Sequence, residues 1–209
     1  SGALLDPEGL RGQARRLLRS KRAHLALGNF FTRWLRIDAT NVTREDPSFT
    51  PELAGSMQRE SELFIDDVLF SPSSNFASLW NANSSFVDPE LASVYGIAAS
   101  GNDGSHERVS LPAERSGVLT QPAFIVSHTP AAEFSPIFLG SLIRQSVLCQ
   151  PLPDPPAQVP ELPQDPDLSV RERLTLHRAD PGCASCHASM DPIGFAFEQF
   201  DAIGAFRPD

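Results

Sequence analysis

The sequence predicts a mainly α-helical protein, in which a helical module is followed by a second module that is reached through a proline-rich strap. Three observations support this fold class. Capping residues recur immediately before apolar positions at helical spacing. Seven prolines fall within residues 151–166, and the chain beyond them returns to a helical pattern. We therefore expect a helical module over residues 1–97, a loop over 98–116 and a second module over 117–209.

Five helices are predicted in the first module from capping residues and from apolar side chains at helical spacing. They begin near Asp6, Ser20, Thr50, Asn75 and Asp88. The second of them carries a broad stripe of aromatic and aliphatic side chains, which is more typical of a core than of a cofactor pocket. The glycine that follows the last helix predicts a left-handed C-terminal cap.

In the second module, secondary structure can be predicted for some segments and not for others. Residues 117–126 are too interrupted to assign, whereas residues 136–149 carry the apolar pattern of a largely buried helix. The strap over residues 151–166 favours an extended polyproline II path, because proline lacks a backbone donor. Ser169 and Glu172 form a capping box that opens the next helix.

That helix carries His177, and Pro181-Gly182 is expected to end it. A short helix follows, which Asp191-Pro192 is expected to end in turn. The tail beyond it contains four phenylalanines and two glycines. These rings could wall a bound cofactor or pack in the core, and the sequence favours neither.

The short helix contains Cys183-Ala184-Ser185-Cys186-His187, the C-x-x-C-H pattern of covalent c-type haem attachment. Two thiols one helical turn apart can each form a thioether with a vinyl group on the same edge of a porphyrin. The histidine that follows then places an imidazole nitrogen under the iron. The motif predicts one covalent haem c, bound by Cys183 and Cys186, with His187 as the proximal ligand.

Two other interpretations of the cysteines remain open at this point. A zinc site would need four ligands, and His177 and Cys149 could complete one with Cys183 and Cys186. A redox-active thiol pair of the thioredoxin type expects a βαβ context, whereas a proline-rich run and a short polar helix precede this motif. Cys149 alone is expected to be a small buried apolar residue.

The sixth ligand of the iron is not determined by the motif. Met190 follows His187 by three residues, so a continuous helix places both on the same side of the ring. The candidates are Met57, His128, His177, a residue outside this chain, or none. Ligation by methionine or histidine suits an electron carrier, whereas an open position permits peroxide or small-ligand chemistry.

Charge excludes one class of partner. The chain carries a net charge of −9, which argues against nucleic acid, because binding to a polyanion requires basic surface. Residues 1–36 nevertheless hold eight Lys and Arg against two acids, a pattern typical of a solvated helix face. No apolar run approaches the length of about 18 residues that spans a bilayer. The chain lacks an initial methionine and is expected to be a piece of a longer protein.

The sequence resembles the planctomycete-type cytochrome c proteins, which are large secreted bacterial proteins built of domains of unknown function. The order of the match is domain of unknown function 1592, then 1588, with the chain cut at the start of 1585. The resemblance is carried by these segments: Phe30-Phe31 with Trp34-Leu35, Glu60, Leu91-Ala92 with Gly96, Gly117 to Thr120, Leu148-Cys149 before the strap, Arg171 to Arg173, His177-Arg178, Cys183 to His187, Met190 to Glu198, and Phe200 to Gly204.

The resemblance implies a covalent haem c, export to the periplasm or the cell exterior, and electron transfer to other domains of the same protein. It implies no particular reaction. One residue departs from the pattern, since the family usually has arginine where Leu139 stands here. If that arginine serves a haem propionate, the role is either empty in this chain or filled by another residue. The alternatives to an electron-transfer module are a haem enzyme with an open distal site and a zinc-binding or structural module.

Overall fold

The computed structural model describes residues 2, 6–73, 75–98, 104–130, 135–154, 165, 167–179 and 181–208. Of these, 57% are helical and 6% are in strands, which confirms the mainly α fold class. The predicted strap over 151–166 lies largely outside the described residues.

The elements follow the chain in a simple order. Longer helices dominate both ends, and one two-stranded sheet lies between them. The elements are α1 (Pro7–Leu18), α2 (Lys21–Trp34), α3 (Pro51–Phe70), α4 (Ser78–Asn81), β1 (Ser84–Val87), α5 (Pro89–Tyr95), β2 (Glu107–Ser110), α6 (Pro122–Ser127), α7 (Pro136–Leu142), a π-helical turn (Ile143–Val147), α8 (Val170–His177) and α9 (Pro181–Phe195), with 3-10 turns at Ala39–Asn41 and Val118–Thr120.

The predicted capping residues begin their helices in the structure. Asp6, Ser20, Thr50 and Asp88 each accept a hydrogen bond from a backbone N–H in the first turn of α1, α2, α3 and α5. This contact satisfies a donor that the helix itself leaves free. Gly96 ends α5 at φ +64°, a conformation that glycine adopts without the cost of a Cβ clash.

The short helix expected from near Asn75 is present as the single turn of α4. One expectation for the middle of the chain is wrong. The stretch expected to be a loop over 98–116 contains β2, which pairs antiparallel with β1. Each strand is only four residues long, and its partner lies far away in the sequence. Neither strand therefore shows an alternating apolar pattern long enough to predict it.

The core is continuous from α2 to the residues that follow α9. It contains side chains of the first module, such as Leu35 and Ile65, together with Phe124 of α6, Leu139 of α7 and Phe200 near the C terminus. Phe197 is also part of this core. The tail phenylalanines at 197 and 200 therefore pack in the protein interior.

Arg115 ties the end of the chain to the first module. Its guanidinium is buried and donates to the carbonyl oxygens of Thr120 and Gly204 at 2.7 Å. The same group stacks between the rings of Tyr95 and Phe200, at 4.4 and 4.8 Å from their centroids. A planar cation with several fixed donors suits this position, because it satisfies carbonyls that face each other across two segments.

A buried polar network surrounds Glu60 on α3. The side chain of Glu60 is fully buried, and its Oε1 accepts hydrogen bonds from the hydroxyls of Ser85 and Tyr95. Gln121 Nε2 donates to Ser85 at 3.1 Å, and Ser61 donates to Gln121 at 2.7 Å. Burial raises the pKa of Glu60 to about 7, against the opposing effect of the two hydroxyl donors.

This pKa makes the stability of the fold depend on pH. The folded pKa lies above the unfolded value of 4.5, so the folded protein keeps a proton that the unfolded chain releases between pH 4.5 and 7. Stability therefore falls as pH rises through this window, by up to about 3 kcal/mol. Urea unfolding of the protein and of Glu60→Gln at pH 5 and pH 8 measures this effect as the difference between the two proteins.

The glutamine variant keeps an acceptor for Ser85 and Tyr95 and should show a flatter dependence on pH. Glu62→Gln is the matched control, because Glu62 lies on the same helix with an exposed side chain. Equal pH dependence in the wild type and in Glu60→Gln would contradict the assignment.

Candidate functional site

The C-x-x-C-H residues lie on α9, which begins at Pro181. Cys183 is 8% exposed and His187 is 7% exposed, whereas Cys186 is half-buried. Residues three and four apart share one face of a helix, so both sulfur atoms and the imidazole are presented together. Contrary to expectation, α9 does not end at Asp191-Pro192 but continues to Phe195, with Pro192 inside it.

Close packing of α9 against α7 accounts for this continuation. Gly140 of α7 lies against the carbonyl group of Met190, and Gly194 of α9 lies against the carbonyl group of Pro136. A Cβ atom at either glycine would collide with the backbone of the other helix. The two helices therefore meet backbone to backbone, and this packing outweighs the single hydrogen bond that Pro192 removes.

A cavity of about 320 Å³ lies beside this helix pair and receives the residues of the motif. Its size falls at the lower end of the range of small-molecule and cofactor pockets. It is lined by residues of α7, the π-helical turn, α8, α9 and the first, described part of the strap. They are Ile137, Phe138, Ser141, Gln145, Leu152, Pro153, Asp154, His177, Gly182, Cys183, Cys186, His187 and Met190.

The helix α8 brings a second imidazole to the cavity. The rings of His177 and His187 have centroids 5.2 Å apart and planes at 72°. Arg171 of α8 lies at the surface, where its guanidinium pairs with Glu198 and lies 4.1 Å from the centroid of the Phe195 ring. Ser169 caps the start of α8 through the predicted capping box.

The orientation of His187 is determined by a buried carboxylate on the same helix. Nδ1 of His187 lies 2.9 Å from Oδ1 of Asp191, whose side chain is fully buried. With Asp191 ionised and the imidazole neutral, Nδ1 is the hydrogen-bond donor and Nε2 keeps its lone pair. A metal-binding histidine requires this tautomer, and its remaining ring N–H commonly donates to a carboxylate.

Family comparisons agree with the order of the two modules. A model described as PSD4, protein of unknown function (DUF1592), matches residues 1–97. A model described as PSCyt3, protein of unknown function (DUF1588), matches residues 115–209. The chain belongs to the planctomycete-type cytochrome c family. No curated protein and no solved structure matches it.

Within this member of the planctomycete-type cytochrome c family, the cavity belongs wholly to the part matched as DUF1588. The donor set fits a covalent haem, because two free thiols and one imidazole with an available nitrogen face a single cavity. Among the described residues, no group of three or more His, Cys, Asp or Glu side chains is arranged to hold a metal ion directly. Cys149 is exposed rather than buried, so the expectation of a small buried residue is wrong.

The candidate distal ligands occupy three different environments. His177 lines the cavity together with both cysteines. Met57 is fully buried in the core from α3 and does not line the cavity. His128 lines a neighbouring cavity of about 540 Å³, where its Nδ1 donates to the carbonyl oxygen of Phe124 at 2.7 Å and burial lowers its pKa.

The two cavities adjoin along α7 and the π-helical turn. Phe138, Ser141 and Gln145 line both of them, and Arg36 lines the neighbouring one. Leu139 is fully buried in the core. Arg36 is not among the residues that line the cavity of the motif.

Asp191 and Gln145 are site residues that sequence reasoning missed. Asp191 follows His187 by four residues, a spacing that pairs side chains on one face of a helix. The predicted helix end at Asp191-Pro192 hid this signal. Gln145 carried no signal, because its direction depends on the π-helical turn over Ile143–Val147. Such turns insert an extra residue and are frequent at functional sites.

No helix in the described part of the chain combines the length and apolarity of a membrane span.

Proposed function

We propose that this chain is a covalent c-type haem-binding module that transfers electrons within a larger exported protein. One observation carries the proposal: Cys183, Cys186 and the free Nε2 side of His187 meet at a single cavity. Thioethers to the two sulfur atoms would hold the porphyrin, and His187 would be its proximal ligand. Bound haem supplies one-electron chemistry at iron.

The remaining walls have roles that follow from their chemistry. Ile137, Phe138, Leu152 and Met190 present apolar surface, which excludes water from the cavity and lowers its local dielectric. Gln145 offers a polar donor at the edge shared by the two cavities, and Arg36 offers a cation in the neighbouring cavity; both suit the carboxylates of the haem periphery. Export to the periplasm or the cell exterior is part of the proposal, because haem is attached to such motifs outside the cytoplasm.

Placement favours His177 as the distal residue over Met57 and His128. His177 is the candidate that shares the cavity with both cysteines. Binding by His177 would give a six-coordinate carrier with two histidine ligands. A second candidate function is a haem enzyme with an open distal site. It also rests on His177, because an imidazole that lies beside the iron without binding it can transfer protons to a small ligand.

The reduced-minus-oxidised absorption spectrum after acid–acetone extraction tests the proposal on protein co-expressed with a haem-attachment system. We expect covalent, low-spin haem that does not bind carbon monoxide. In His177→Ala we expect high-spin haem that binds carbon monoxide, whereas His128→Ala and Met57→Leu should retain the wild-type spectrum.

The other outcomes are equally informative. Covalent haem that is already high-spin in the wild type would favour the enzyme. Absence of covalent haem would overturn the proposal, and the zinc content of the purified protein would then decide on the structural alternative.

A further inference from the structure

Resting on the proposed function, we propose that Asp191 is a positioning residue that makes His187 a strongly donating proximal ligand and gives the haem a low reduction potential. The juxtaposition that carries the inference is the contact of 2.9 Å between His187 Nδ1 and Asp191 Oδ1. This contact lies inside one helix and close to the cavity wall.

Helix geometry places the two residues together before any cofactor arrives. His187 and Asp191 are four positions apart on α9, so their side chains lie one above the other on the same face. This requires helical backbone through Asp191, and α9 extends beyond that residue to Phe195, with Gly194 packed on α7. The carboxylate is thus preorganised rather than recruited on haem binding.

The environment makes this hydrogen bond a strong one. Asp191 is fully buried, and within the described part of the chain its second oxygen, Oδ2, has no hydrogen-bond partner. Arg178 Nη1 faces that oxygen at 3.8 Å, beyond hydrogen-bond distance, with a side chain that is 40% exposed. Among the described residues, the imidazole N–H is therefore the group that donates a hydrogen bond to the buried carboxylate. A hydrogen bond to a charged group is strong in a low dielectric.

The chemical consequence acts through the imidazole. A carboxylate that draws the Nδ1 proton raises the basicity of Nε2. A more basic axial nitrogen stabilises the oxidised iron more than the reduced iron, and so lowers the reduction potential. A backbone carbonyl in the same position would be a weaker acceptor, because it carries no net charge. We therefore expect the haem of this module to have a low reduction potential among electron-transfer haems.

Asp191→Asn tests the inference, because it keeps the side-chain volume and removes the charge. The matched control is Glu198→Gln, which removes one negative charge just beyond α9 from a partly exposed side chain paired with Arg171. We expect the equilibrium ratio of reduced to oxidised haem at a given potential to rise at least tenfold in Asp191→Asn, which is about 59 mV for one electron. The control should change this ratio by much less.

Two spectroscopic readouts separate positioning from loss of structure. In the protein before haem attachment, ¹⁵N chemical shifts of His187 should show protonated Nδ1 and unprotonated Nε2, and Asp191→Asn should weaken this preference. After attachment, the iron–imidazole stretching frequency should fall in Asp191→Asn. If that variant does not fold, Arg178→Gln provides the test, with the opposite expectation of a higher stretching frequency and a lower potential.

The outcomes distinguish this inference from the proposed function. Absence of covalent haem in the wild type would overturn the proposed function, while the ¹⁵N shifts would still report on the contact between His187 and Asp191. Covalent haem whose potential and stretching frequency are the same in Asp191→Asn and in Glu198→Gln would overturn the inference alone. Protonated Nε2 in the wild-type protein would also overturn it.

Discussion

A protein in which serine replaces both Cys183 and Cys186 is expected to fold and to carry no haem that survives acid–acetone extraction. Both sulfur atoms face the cavity, and thioethers are the bonds that resist extraction. Serine has nearly the same volume and cannot form such a bond under the same conditions. The loss should therefore be complete, whereas circular dichroism should retain the helical signal of the wild type.

The single variants give a graded result. With one thioether left, Cys183→Ser and Cys186→Ser should each keep some covalent haem, with an absorption maximum displaced by the remaining free vinyl group. Cys149→Ser is the control, because Cys149 is the exposed third thiol and lies outside the cavity lining. Acid-stable haem in the double variant would show that the motif does not bind the cofactor.

Replacing Gly194 by alanine is expected to destabilise the protein by about 3 kcal/mol or more and to reduce haem loading. The added methyl group would collide with the Pro136 carbonyl group, which is backbone and cannot rotate away. The helices α7 and α9 would have to separate. Because both of them line the cavity, the thiols and Phe138 would no longer face each other at their present spacing.

Urea unfolding monitored by circular dichroism measures the loss of stability, and pyridine haemochrome measures the loading. Gly28→Ala is the matched control, since Gly28 lies in α2 with open space at its Cβ position. That variant should be more stable than the wild type by about 0.5 to 1 kcal/mol, because alanine loses less conformational freedom in a helix. A Gly194→Ala protein as stable as the wild type would show that the backbone contact is not required.

Several helices were predictable because their signals are local. Asp6, Thr50 and Asp88 each precede a proline in the first helical turn, and Ser169 forms its capping box with a glutamate three residues later. A cap acts within one turn, so the chain carries the signal wherever it folds. The strands β1 and β2 depend instead on pairing between residues 20 to 26 positions apart, for which four-residue segments carry no pattern.

Proline was a misleading signal at one functional position. Pro192 predicts a helix end, yet α9 continues because Gly194 packs on Pro136. The same continuation brings Asp191 under His187. A missing backbone hydrogen bond is a local cost, whereas the gain from close helix packing arises between segments that are distant in the chain.

The amino-acid sequence by itself determined the family and which thiol and imidazole groups form the candidate site. The spacing of Cys183, Cys186 and His187 specifies a helical turn with two thiols and an imidazole on one face, because helix periodicity is a local property of the chain. Only the tertiary structure decided which other side chains join them. His177 comes to the cavity from α8, while Met57 and His128 do not, because such contacts depend on packing between elements that the sequence does not place.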